Sequence, residues 1–257
     1  MLDILKSYII FYLKSTNQHG VHSPFVYDFL CNGIYKKVTS KQLGNWQNYR
    51  KHLKGISHKV PNYNIGAKSR IIKGSDSRIN KIAKIAGSSR RKASLLIKII
   101  QYFNSHKVLE LGTNVGLGTY ALKLGSPESV IMTIEGNTEL SNFSQGQFEK
   151  LKLKDINVLN NEFSEGLKKL DKESFDLIFI DGNHQYESTL KYFNWALGHL
   201  NENGLIIFDD IYWSNQMTQA WEEILNDDRI HLSIDFFNLG IIMKRPKQRK
   251  QHFILRA

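Results

Sequence analysis

The chain is poor in the features that would place it outside the cell or across a membrane. A single cysteine, Cys31, among 257 residues excludes an intramolecular disulfide framework and fits a reducing compartment. No apolar stretch approaches the ~20 residues that a spanning helix needs. The longest early run, Tyr8–Leu13, has six residues, and no secretory-signal pattern precedes or contains it. The expectation is a soluble, cytoplasmic protein. Acidic residues are also scarce over part of the chain. Residues 1–107 hold 3 Asp/Glu against 20 Lys/Arg, whereas residues 108–257 hold 21 against 15. A second basic cluster comprises Lys244, Arg245, Lys247, Arg249, Lys250 and Arg256. Such a split points to an acidic partner (nucleic acid, an anionic membrane surface or an acidic substrate) or to docking on the chain's own acidic half.

What is present is a core-forming composition, 41% hydrophobic, with two rhythms. The first half reads helical. Leu2, Leu5, Ile9, Tyr12 and Leu13 share one face of a helix over 2–14, a face suited to a homodimer contact. Ser23-Pro24 opens a second helix as N-cap and first residue, continued by Phe25, Phe29 and Leu30. A basic helix over 40–54 stops at Gly55, and residues 56–75 read as a loop broken by Pro61, Gly66 and Gly74. Ser75 or Asp76 caps a helix through Ala86, and Ser89 caps another reaching Asn104. From Lys107 the pattern becomes strand–helix alternation. Strands are expected at 107–111, 129–134, 155–160, 175–181 and 203–209, with helices in the gaps. Their continuous apolar runs suit strands covered on both faces. Ile230–Phe237 and Leu239–Met243 lie too close for a helical crossover and should form an antiparallel hairpin.

Between the first strand and its helix runs Val108-Leu-Glu-Leu-Gly-Thr-Asn-Val-Gly-Leu-Gly-Thr119, a glycine-rich turn of the kind that seats nucleotide-type ligands at a helix N-terminus. Glu110 at the strand end would repel a diphosphate and attract a cation. S-adenosyl-L-methionine (SAM), with an ammonium and a sulfonium and no phosphate, therefore suits the turn better than a dinucleotide. Glu110, Gly112, Thr113, Asn114 and Gly116 are its candidate contacts. Glu135, about twenty residues on, is placed to accept the ribose hydroxyls, with Glu162 and Phe163 beside the adenine. The fourth strand ends in Asp181 with His184 three residues later, and the fifth in Asp209-Asp210. Three converging aspartates would need a cation, and oxygen ligands suit Mg²⁺ or another divalent ion. Such an ion, or His184 as general base, would deprotonate an acceptor hydroxyl.

Together these residues resemble the class I SAM-dependent methyltransferases. The resemblance is closest to the O-methyltransferase branch that includes catechol, caffeoyl-CoA and macrocin-type enzymes, and it covers roughly residues 90–245. It implies a Rossmann-like, doubly wound seven-stranded sheet with a terminal antiparallel hairpin. Residues 1–90 would form a basic helical lid and substrate region, 91–245 the SAM-binding domain and 246–257 a basic tail. The branch's metal-ligating aspartates match Asp181 and Asp209. Asp210 stands where asparagine is usual, and His184 where catechol O-methyltransferases carry a lysine. The expected activity is O-methylation of a small-molecule hydroxyl. The alternatives are an RNA methyltransferase using the basic N-terminal region, and a non-catalytic SAM-binding adaptor.

Overall fold

The computed structural model describes residues 2–61, 76–85 and 88–256. They fall into two compact units, a discontinuous one of residues 1–36 and 173–257 and a continuous one of residues 37–172. The discontinuous unit opens with α1 (Leu2–Lys14) and α2 (Pro24–Asp28). Ser23 caps α2 by accepting the Val26 N–H, as the Ser-Pro signal predicts. Residues Phe29–Ile34 then widen into a π-helical turn, which the sequence pattern does not announce. The wider turn carries Phe29, Leu30 and Ile34 into the core.

The continuous unit starts with α3 (Ser40–Lys54), opened by a full capping box between Thr39 and Gln42. Residues expected to begin a helix at 75 or 76 instead form β2 (Asp76–Arg78), antiparallel to β1 (Lys59–Pro61). The departure has a local cause. The Ile79 and Asn80 N–H groups are drawn to the carbonyls of His58 and Ile56, so helix geometry begins only at α4 (Ile79–Ile85). The expected loop residues 62–75 and the helix end at Ala86 lie outside the described residues. α5 (Arg90–Phe103) is capped by Ser89 and closed by Asn104 in the left-handed conformation. Then come β3 (Lys107–Leu111), α6 (Leu117–Gly125), β4 (Val130–Glu135), α7 (Thr138–Lys150), β5 (Ile156–Asn160) and α8 (Phe163–Lys169). The three strands are parallel with β4 between the others, so their carboxyl ends lie together.

The second stretch of the discontinuous unit contains β6 (Phe175–Ile180), α9 (Tyr186–Gly198), β7 (Leu200–Asp209) and α10 (Asn215–Asn226). It closes with β8 (Leu232–Asp235), β9 (Leu239–Met243) and β10 (Gln251–Ile254). β6 and β7 are parallel, and β9 runs antiparallel to both β7 and β8, giving the expected hairpin. β10 is parallel to β8, an eighth strand where the sequence predicts seven. Gly240 lets α10 pack closely on β9, because a Cβ there would sit 2.6 Å from the ring of buried Trp221. The same unit ties its two chain segments together. The Thr16 N–H reaches the Ile254 carbonyl (2.9 Å) and the Arg256 N–H reaches the Thr16 carbonyl (3.0 Å). Phe11 and Tyr8 of α1 pack on Phe237, with ring centroids 5.4 and 5.0 Å away. The fold is of the Rossmann-like α/β class.

Candidate active site

The glycine turn is built entirely within the continuous unit. Gly112, Asn114 and Gly116 all have positive φ (108°, 50° and 77°), a run that glycine and asparagine tolerate at little cost. A side chain at Gly116 would bring a Cβ to 2.7 Å from the Phe148 ring. The turn is pinned from three sides. The Gly112 N–H donates to Ile134 at 2.9 Å. The Asn114 N–H donates to Glu135 Oε2 at 2.8 Å. The Ser144 hydroxyl donates to the Asn114 carbonyl at 2.5 Å.

Two carboxylates attend this turn. Glu135, at the end of β4, accepts the Asn114 N–H on one oxygen and the Asn137 N–H (2.9 Å) on the other. Those bonds use one lone pair per oxygen and leave the others for a ligand. Burial pushes its pKa up, against the pull of the two backbone donors. Glu110 lies fully buried in β3. Its Oε2 receives the hydroxyls of Thr119 and Thr133, and Thr133 is in turn 2.7 Å from the Thr113 hydroxyl. Its other oxygen is buried with no hydrogen-bond partner. Burial raises its pKa to about 7, more than the two threonine bonds lower it. A buried acceptor without a donor beneath a glycine turn fits a ligand that brings positive charge or a donor.

Glu162 and Phe163 stand at the start of α8, Glu162 exposed and Phe163 partly covered. Several supports escaped the sequence reading. The Tyr49 hydroxyl donates to the Val115 carbonyl (2.7 Å), and the Trp46 indole N–H donates to the Leu117 carbonyl (3.0 Å). The helix expected to be a basic lid thus braces the glycine turn through its buried aromatic face. The available signal was two aromatics, three apart, in an otherwise polar helix.

In the discontinuous unit, Asp181 follows β6, and its Oδ1 lies 4.0 Å from His184 Nε2, with both side chains largely covered. Tyr186 opens α9 and donates its hydroxyl to Glu223. Among the described residues, no group of three or more His, Cys, Asp or Glu side chains is placed to hold an ion. Asp209 is the last paired residue of β7, opposite Leu239, and is buried. Asp210 turns to φ 51° and sends its N–H to the Asn238 carbonyl, 2.8 Å away.

Known proteins bear on these residues. Residues 109–211 match a family described as a methyltransferase domain. A ribosomal RNA small subunit methyltransferase G of Lachnoclostridium phytofermentans is 26% identical over 129 residues, 50% of this chain and 51% of that protein. The chain spans about half or less of the curated relatives it matches. Among solved structures, an SAH-bound methyltransferase of Podospora anserina superposes with a TM-score of 0.60 at 19% identity, over 81% of this chain and 89% of that one. An O-methyltransferase of Bacillus cereus in complex with SAH gives a TM-score of 0.55 at 19% identity, over 85% and 97%. Residues 109–211, which match that methyltransferase domain, carry the glycine turn, Glu135, Asp181 and His184, and the chain shares the Rossmann-like fold of these solved structures.

Proposed function

We propose that this protein is a SAM-dependent methyltransferase acting on the hydroxyl of a small-molecule acceptor. The observation that carries the reading is the braced glycine turn, with Glu135 fixed at the end of β4, inside a segment that matches a methyltransferase domain. Gly112, Thr113, Asn114 and Gly116 would hold the cofactor by close backbone approach. Glu135 would take the ribose hydroxyls, Glu162 and Phe163 the adenine, and Glu110, its pKa raised to about 7, would ionise beside a cationic ligand at the turn. Asp181, which follows β6, is a further candidate contact. When bound, the cofactor supplies an electrophilic methyl group on a sulfonium. The protein's own chemistry is proton handling. With Nε2 of His184 toward Asp181, Nδ1 would be the atom that receives the acceptor's proton. Holding acceptor and methyl donor in line would supply much of the rate.

RNA as the acceptor is the second reading, favoured by the ribosomal RNA methyltransferase likeness and the basic residues before Lys107. It requires steeply salt-dependent binding to RNA of random sequence. The cofactor reading is tested by calorimetric titration with S-adenosylhomocysteine, with NAD as control. Micromolar binding of the first and none of the second is expected. NAD binding alone would assign the turn to a dinucleotide, and binding of neither would remove the turn from the argument.

A further inference from the structure

Large exposed apolar side chains concentrate on one helix. Leu5 (56% exposed), Tyr8 (43%), Ile9 (52%), Ile10 (43%), Tyr12 (54%) and Leu13 (77%) all belong to α1. Residues 5, 9, 12 and 13 have the spacing of a single helical face, turned away from buried Phe11, which with Tyr8 anchors the helix on Phe237. A helix anchored on one side and apolar on the other is unusual in a solvated protein, where such patches mark contact surfaces.

The rim of this face is cationic. Lys6 and Lys14 are exposed on α1 itself, and the Arg256 guanidinium lies over the Tyr12 ring, 5.3 Å from its centroid. In the same unit, residues 244–257 contribute six Lys/Arg and no acid. Tyr8 and Tyr12 each carry an apolar ring with a polar tip, the amphipathic form favoured at a lipid–water boundary. We infer that α1 is an interfacial helix that lays its Leu5–Ile9–Leu13 face into an anionic lipid surface.

Two considerations favour lipid over a second copy of the chain. A symmetric dimer sets the same patch against itself, which here would oppose like charges. A standard interface also draws roughly 20–30 residues from each side, far more than the six side chains displayed here. A helix of 13 residues is too short to cross a bilayer, and no described helix is long and apolar enough to do so, which leaves it lying in the surface.

The test is co-sedimentation of the full chain with vesicles of mixed phosphatidylcholine and phosphatidylserine, and with vesicles of phosphatidylcholine alone. Binding is expected to the mixed vesicles, to weaken with added salt, and to fall about tenfold or more in the Leu5→Gln/Ile9→Gln/Leu13→Gln variant. These side chains are exposed, so the variant should melt with the wild type, and equal thermal midpoints exclude misfolding as the cause. Arg256→Gln should weaken binding to the mixed vesicles about fivefold. Equal binding of both vesicle types, no binding, or undiminished binding of the triple variant would each overturn the proposal. So would a wild-type dimer, seen by light scattering, that the triple variant turns into a monomer. None of these outcomes bears on cofactor binding.

Discussion

At the scale of single residues, the cofactor side of the site turns on Glu135 and Glu110, which do different work. Glu135 is held by two backbone N–H groups and keeps lone pairs for a ligand, whereas Glu110 is sealed beneath the turn by two threonine hydroxyls. Glu135→Ala should therefore weaken S-adenosylhomocysteine binding by about 1–3 kcal/mol, read by calorimetry. Unchanged affinity would sink the ribose assignment. The loss should be larger than for removal of a solvated acid, because the Asn114 N–H would also lose its acceptor and the turn its brace.

At the scale of elements, the alternating half of the chain was legible and the helical half only in part. β3 matches its expected span of 107–111, and the β8–β9 hairpin was readable from the few residues between its strands. Short apolar runs bounded by turns leave few alternatives once the strand–helix rhythm is set. β10 was not legible, since Gln251–Ile254 follows a basic stretch and gains its place only by pairing with β8. The β1–β2 ribbon was missed for a similar reason, its three-residue strands being specified by tertiary pairing rather than by pattern. Within the site, Gly112, Gly116 and Glu135 could be read from spacing. The spacing of Asp209 and Asp210 did not reveal that the chain turns to positive φ at Asp210. Nor could the sequence show that α3 braces the turn, since the acceptor of the Tyr49 hydroxyl is a backbone carbonyl 66 residues away. Burial beside Tyr120 holds that phenol protonated far above its ordinary range. Tyr49→Phe should leave the Val115 carbonyl without its partner and lower stability by about 1–3 kcal/mol, measured by urea denaturation. A variant as stable as the wild type would show that water replaces the phenol at no cost.

At the scale of the whole molecule, two buried acids contribute to the response to pH, with Glu135 acting in the same sense and His252, lowered by burial, in the opposite one. Burial raises Asp235 to about 6, despite bonds from the Tyr212 hydroxyl and the Phe237 N–H, and raises Glu110 to about 7. Their counterparts in the unfolded chain titrate near pH 4. Between about pH 4 and pH 7 the folded chain thus keeps protons that the unfolded chain has released. These groups make stability highest at the acid end of that window and lower it as pH rises, with no further change above it. Thermal midpoints measured across the window should fall with pH, and Asp235→Asn should flatten the lower part of the decline. A wild-type midpoint that rose steadily from pH 5 to pH 7 would contradict this account.

The clasp of Thr16 against Ile254 and Arg256 bears on how the chain is made. Residues 37–172 form a contiguous unit that can fold while synthesis continues. Residues 1–36 leave the ribosome first, yet their unit is complete only after residue 256 has emerged. At ordinary elongation rates of about 5–20 residues per second, the first helix waits on the order of ten seconds or more for its partner strands. Throughout that interval its apolar face and Phe11 are both uncovered, so the nascent chain offers a chaperone-binding segment that the finished protein half conceals.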